Sequence, residues 1–188
     1  MSMRILARAL ILVLAALAGC ATPSSTLRGL AQDQHDDVVM PLRNSSDALA
    51  LAQRSMIRAD KVGKMIQEKK VETAADHYNA ALVLVQCTRE NDLALAQEQG
   101  LAAAELGEPR GFRVAAEAID KLMVKRGMLQ RFGTQFVWEP VLRAWRLYPL
   151  NPRTTDAERT AMGVPTLEGI KRQEAELNKR AASGAPGQ

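Results

Sequence analysis

From about residue 44 onward, apolar positions recur at helical spacing. Leu49, Ala52, Met56, Ala59 and Ile66 make one stripe, opened by the cap-forming run Asn44-Ser45-Ser46-Asp47. Ala74, Tyr78, Ala81, Leu82 and Val85 mark a second helix, with Thr73 and Asp76 placed to cap it. Asn91-Asp92 suits the start of a third, and Gly107 its stop, in the left-handed conformation glycine tolerates. Pro109 fits the first turn of a fourth. Its stripe is Val114, Ala115, Ala118, Ile119 and Leu122, and Gly127 ends it. Residues 74–126 therefore predict three antiparallel helices with short connections. The pattern breaks over 127–153. Thr155-Asp156-Ala157-Glu158 then forms a capping box for a short helix that stops at Gly163. Pro165-Thr166 opens a last helix, highly charged from Lys171 to Arg180. The small residues of 181–188 predict a disordered tail.

The first twenty residues follow a different pattern. Met1 to Arg8 is short and basic, and Ala9 to Ala18 is apolar. That run is far below the ~20 residues a helix needs to span a bilayer. A basic start, a short apolar run and small residues before a cut mark a secretory signal, here residues 1–19. Leu17-Ala18-Gly19-Cys20 resembles the lipobox of bacterial lipoproteins. The resemblance implies that the Cys20 thiol receives a diacylglycerol and that the chain is cut just before it. Ala21-Thr22-Pro23-Ser24-Ser25 reads as a flexible tether, and 20–43 as the lipidated cysteine with its tether. Residue 21 is Ala, whereas Asp there tends to retain enterobacterial lipoproteins in the inner membrane. The resemblance therefore implies an outer-membrane anchor facing the periplasm.

Composition narrows the remaining choices. Of 188 residues, 47% are hydrophobic but only 4% aromatic, which favours helices over a β-sandwich. The length suits one domain, 44–180. The net charge of +4 falls when Arg4 and Arg8 leave with the signal, to 23 bases against 21 acids. These bases are scattered, so the electrostatic footprint of a nucleic-acid binder is missing. With Cys20 lipidated, Cys87 has no partner for an intrachain disulfide. Cys87 follows Val83-Leu84-Val85 and is expected to be buried.

Candidate chemistry is sparse. His35 and His77 are the only histidines, no metal-ligand spacing is present, and no motif implies a cofactor. Asp36-Asp37 and Glu90 with Asp92 are carboxylate pairs that read best as caps and solvated charge. The informative segment is Gln130-Arg131-Phe132-Gly133-Thr134-Gln135, followed by Phe136-Val137-Trp138-Glu139-Pro140. Five of the seven aromatic residues, including both tryptophans, fall between 132 and 148, where helical regularity fails. Two amides, a guanidinium and a hydroxyl offer directed donors beside apolar rings, a composition that suits a pocket. Gln130, Arg131, Gly133, Thr134, Gln135 and Trp138 are the candidate binding residues. The competing reading is structural: such side chains also satisfy backbone groups in buried loops.

Two further resemblances bear on the domain. Ala94 to Ala116, with Ala103-Ala104, Leu106-Gly107 and Ala115, faintly resembles the helix pairs of tetratricopeptide-like and Sel1-like repeats, although no second copy recurs at a fixed period. Gln130 to Gln135 resembles the Gln-Arg-Tyr-Gly-Thr-Gln motif of an uncharacterised bacterial family, a domain of unknown function. Tyr148-Pro149-Leu150-Asn151-Pro152, Asp156-Ala157-Glu158-Arg159 and Met162-Gly163-Val164-Pro165 follow in the order of that family. The likeness spans roughly residues 80–175. It departs at Phe132, which lacks the phenol, and at Gln86-Cys87, where the family often has Gln-His. It implies no biochemical activity.

The expectation is an all-α, lipid-anchored envelope protein whose helical module binds an envelope partner or a small anionic ligand. The competing expectation is an envelope hydrolase, with Arg131 or the glutamines stabilising an anionic group. No nucleophile or general base stands out for it.

Overall fold

The computed structural model describes residues 21–39 and 45–183. The expected signal segment, Cys20, Asn44 and the expected tail from 184 lie outside these. The elements run α1 (Pro23–Val39), α2 (Ser45–Gln67), α3 (Ala74–Leu84), α4 (Glu90–Glu105), α5 (Arg110–Lys125), β1 (Phe136–Glu139), β2 (Ala144–Leu147), α6 (Asp156–Ala161) and α7 (Leu167–Ala182). The fold is all-α, with a single two-stranded sheet among the described residues. That hairpin occupies the segment in which the helical pattern fails.

The expected tether is corrected over most of its length: residues 23–39 are helix α1. Pro23 is compatible with a first turn, and the Ser25 amide donates to the Thr22 hydroxyl at 3.2 Å. Leu27, Ala31 and Gln34, at i, i+4 and i+7, turn inward. The stripe is short and ends in an amide, so apolar periodicity does not reveal it. Gln34 instead anchors a polar seam to α2. Its Nε2 donates to Ser55 Oγ at 3.0 Å and its Oε1 accepts from Arg58 at 3.1 Å. Asp37 accepts from both Arg54, at 2.8 Å, and Arg58. These guanidinium bonds, Arg54 foremost, hold the Asp37 carboxyl down to about 2.

The stripe expected on α2 is corrected in part. Leu49 and Met56 are exposed, and the buried face carries Ser55, Ala59, Val62 and Met65. Ala59 and the half-buried Ile66 of the expected stripe do face the core, but half of that face meets α1 through polar groups, so hydrophobicity alone drew in the exposed Leu49 and Met56 and left out Ser55.

Helices α3 to α5 form where expected. Thr73 and Asp76 build a capping box, with bonds of 3.2 and 3.1 Å between each backbone N–H and the opposite side chain. Gly107 and Gly127 end α4 and α5 with φ of +100° and +69°. The α4–α5 contact is nearly backbone on backbone. A Cβ on Gly111 would lie 2.2 Å from the Gly100 carbonyl oxygen, with Ala103 and Ala115 beside the crossing.

Helix α5 divides two cores. Val114 and Ala118 join Leu27, Val62, Leu84 and Cys87 in the larger one. Ala116 faces the smaller, with Phe132, Val164 and Ile170, against which Ile119, Phe136, Leu147 and Met162 pack. Burial pushes the Cys87 thiol up to about 11. Cys87 Sγ contacts the Ser55 carbonyl at 3.4 Å.

Candidate functional site

The loop from 130 to 135 wraps around one carboxylate. Asp120, on α5, is completely buried. Its Oδ1 accepts from the backbone N–H of Arg131 at 2.7 Å and Phe132 at 2.9 Å. Its Oδ2 accepts from the N–H of Gly133 and Thr134 and from the Thr134 hydroxyl, each at 2.9 Å. Four consecutive amides thus form an anion-binding concavity of the kind that elsewhere holds phosphate, and here the chain fills it with its own side chain.

The flanking glutamines close the loop. Gln130 is fully buried. Its Nε2 donates to the carbonyls of Gln135 at 3.0 Å and Tyr148 at 2.8 Å, and its Oε1 accepts from the Gln135 N–H at 2.8 Å. Its backbone pairs with Pro149 and Asn151. Gln135 donates to the Thr134 hydroxyl at 2.8 Å. Gly133 has φ +93°, and a Cβ there would sit 2.7 Å from Ile170 Cδ1. Phe132 is buried in the smaller core, a place for an apolar ring with no need of a phenol. Of the candidate binding residues, Gln130, Gly133, Thr134 and Gln135 are therefore engaged in holding α5, the loop and residues 148–151 together. Arg131 stays outside, over the Phe132 ring at 5.0 Å and 3.1 Å from Glu158.

Trp138 belongs to a different surface. It pairs with Trp145 across the hairpin, in a register that sets Phe136 opposite Leu147 and Glu139 opposite Ala144. The two indoles meet edge to face, with centroids 5.7 Å apart. Asn178 of α7 docks the outer edge of β2. Its Oδ1 accepts from the Trp145 N–H at 2.6 Å and its Nδ2 donates to the Trp145 carbonyl at 3.0 Å, as a strand neighbour would.

Between the hairpin, α5 and α7 lies a groove of about 470 Å³. Phe136 and Trp145 supply its apolar wall, Leu177, Gln173, Glu176 and Arg180 come from α7, and Arg113 comes from α5. Arg180 is engaged by Glu176 at 3.3 Å. Arg113 is half-buried and has no hydrogen-bond or ion-pair partner among the described residues. Sequence reasoning missed it because one arginine on a helix face carries no spacing signal. The aromatic cluster between 132 and 148 was the usable clue, and two of its members line the groove.

The remaining titratable candidates serve structure. Asp92 takes Arg89 at 2.6 Å, and Glu90 takes Arg126 at 2.8 Å. His77 Nδ1 lies 2.7 Å from Gln99 Oε1. Hydrogen bonds from Thr155, and then Arg131, hold Glu158 below the usual carboxylate range. Among the described residues no cluster of three or more His, Cys, Asp or Glu could hold a metal ion, and no helix is long and apolar enough to cross a membrane. Compared with protein-family models, curated proteins and solved structures, the chain gives no match.

Proposed function

We propose that this protein is a lipid-anchored binding module of the bacterial cell envelope, whose ligand occupies the groove between the hairpin and α7. The observation that carries the reading is Arg113: a half-buried guanidinium with no partner among the described residues, beside the rings of Phe136 and Trp145. A guanidinium withheld from ion pairs favours an anionic group, and the rings favour an apolar or planar body attached to it. The ligand class is thus a small anion with a ring or aliphatic portion, or an acidic side chain of an envelope protein. A hydrolase would need a general base in this groove. Its carboxylate, Glu176, is engaged by Arg180.

The anchor forms the second half of the proposal. Leu17-Ala18-Gly19-Cys20 supplies the lipidation signal, and Ala21 supports the outer membrane by resemblance. Ala21 packs at the end of α2 beside Lys61, Lys64 and Lys70. Glu68 in the same pocket pairs with Lys70 at 2.7 Å and Lys64 at 3.8 Å, so a lipid on Cys20 would bring a cluster of net positive charge, Lys61 foremost, to the headgroup layer, where an unpaired ammonium adds about 1 kcal/mol of attraction to anionic lipid. The hexapeptide motif supports kinship with the uncharacterised family it resembles. Its residues point to a shared fold element, because they hold the loop in place.

The test is a fluorescence titration with 8-anilinonaphthalene-1-sulfonate, an anion on an aromatic body. A charge-assisted hydrogen bond contributes about 1.5–3 kcal/mol, so Arg113→Met should weaken saturable binding about tenfold or more with an unchanged melting temperature. Equal affinity in the two proteins would remove Arg113 and the groove from the account.

A further inference from the structure

We propose that the β1–β2 hairpin tip is a membrane-contacting element that inserts into the interface of an anionic lipid bilayer. The tip is apolar where solubility alone would make it polar. Val141 is 92% exposed and Leu142 58%, the first being the most exposed large apolar side chain among the described residues. The turn that presents them is tight. Pro140 fixes its entry, the Arg143 N–H donates to the Pro140 carbonyl at 3.3 Å, and Arg143 takes φ +48°. Such a conformation is uncommon for an arginine and is held by the turn around it.

The apex and the pair of rings beneath it are apolar. Two aliphatic residues form the apex. Beneath them lie Trp138, 39% exposed, and Trp145, in edge-to-face contact. Arg143 flanks the apex with its guanidinium unpaired among the described residues, Glu139 and Ala144 lie between the apex and the indoles, and Arg146, one pair below the indoles, is engaged by Glu174 at 3.5 Å. Aliphatic groups at the apex with indoles beneath them is the order in which acyl chains and interface are met on entering a bilayer, and the long Arg143 side chain beside the apex can reach back to the phosphates. A convex apex with no cleft of its own fits a fluid lipid surface better than a preformed protein pocket. The hairpin can bear such a load, because Asn178 ties both backbone groups of Trp145 to α7.

The base of the hairpin, at Trp145, lies near the start of α5, which in turn meets α3. Ala21 packs beside Lys70, three residues before the Thr73 cap of α3. Arg110, at the start of α5, stacks on Tyr78 of α3 at 4.5 Å, and Arg113, one turn on, lines the groove with Trp145. The inference stands without the lipid, because it rests on the hairpin alone.

Both tryptophans of the protein sit on the hairpin, so intrinsic tryptophan emission reports this element and nothing else. The experiment uses the full chain, with Cys20 intact and as Cys20→Ser, mixed with vesicles of phosphatidylethanolamine and phosphatidylglycerol. The vesicles are made with and without a nitroxide on the lipid acyl chain. The expected result is a blue shift and nitroxide quenching in both forms. Quenching should be at least about twofold stronger than in Val141→Asp/Leu142→Asp, since charged side chains resist transfer into the interface. Emission that stays water-like and unquenched would overturn the proposal and leave the tip to a protein partner, whether or not the chain is lipidated. Equal quenching in wild type and double variant would overturn it as well. Quenching in the Cys20→Ser chain separates insertion by the hairpin from attachment through the lipid.

Discussion

The Asp120 carboxylate gathers the backbone N–H groups of Arg131 to Thr134 and the Thr134 hydroxyl, all within 2.7–2.9 Å. Burying a charge of this kind is tolerable only because every lone-pair direction is met. The reverse also holds: without the carboxylate, the loop keeps five donors and loses their acceptor. Asp120→Asn preserves the shape but turns an NH2 group toward part of this ring. Leaving a buried donor unmet costs about 1–3 kcal/mol, so the variant should lose about 3 kcal/mol in all, or roughly 10 °C in melting temperature. Arg131→Lys should shift stability by less than about 0.5 kcal/mol, since its ion pair with Glu158 is exposed. Thermal denaturation of the two variants checks both statements, and an Asp120→Asn protein as stable as the parent would contradict this account of the loop. Asp120 also shows what sequence reading lacked. The motif from Gln130 to Gln135 stood out as polar and glycine-containing, which suited a ligand site and a buried loop equally. Its partner lies ten positions upstream on a helix, as one more acid among the 21 acidic residues, with no spacing signal to join them.

Helices were legible where their stops and caps are chemical and local. Thr73 with Asp76, Gly107, Gly127, Thr155 with Glu158, and Thr166 all mark boundaries found in the structure. Faces were legible only where burial is apolar, as on α5. On α1 and α2 much of the contact runs through Gln34, Asp37, Ser55, Arg54 and Arg58, so hydrophobic periodicity hid the first helix and misplaced the first half of the second's face, while Ala59 and Ile66 were placed correctly. The hairpin escaped notice because its tip is Pro-Val-Leu-Arg, with none of the Asn-Gly or Gly-containing pairs that announce a tight turn. The α4–α5 crossing makes a sharp prediction at this scale. Its closeness depends on two glycines facing each other. A methyl group on Gly111 would meet a carbonyl oxygen at 2.2 Å, and neither backbone can yield without separating the helices. Although alanine is the better helix former, Gly111→Ala should destabilise the protein by at least about 2 kcal/mol. A denaturant melt showing unchanged or raised stability would mean that the helices do not touch there.

Across the whole molecule, the larger core unites α1 to α5, and the smaller fastens the Asp120 loop, the hairpin and α7 to the other face of α5. This arrangement sets three surfaces on one body: the start of α1 beside the lysines of α2, the groove at Arg113, and the apolar hairpin tip. The proposed function needs the first of these to be the point of attachment. Everything said of envelope location and membrane contact through a lipid depends on Cys20, which follows the short apolar run and precedes the ordered start of α1. The most direct measurement is mass spectrometry of the protein purified from cell membranes with detergent. The account predicts a mature chain that begins at Cys20 and carries the mass of diacylglycerol, with or without a further acyl group, and a Cys20→Ser variant that lacks this mass. A mature N-terminus without lipid, or a chain cut elsewhere, would contradict it.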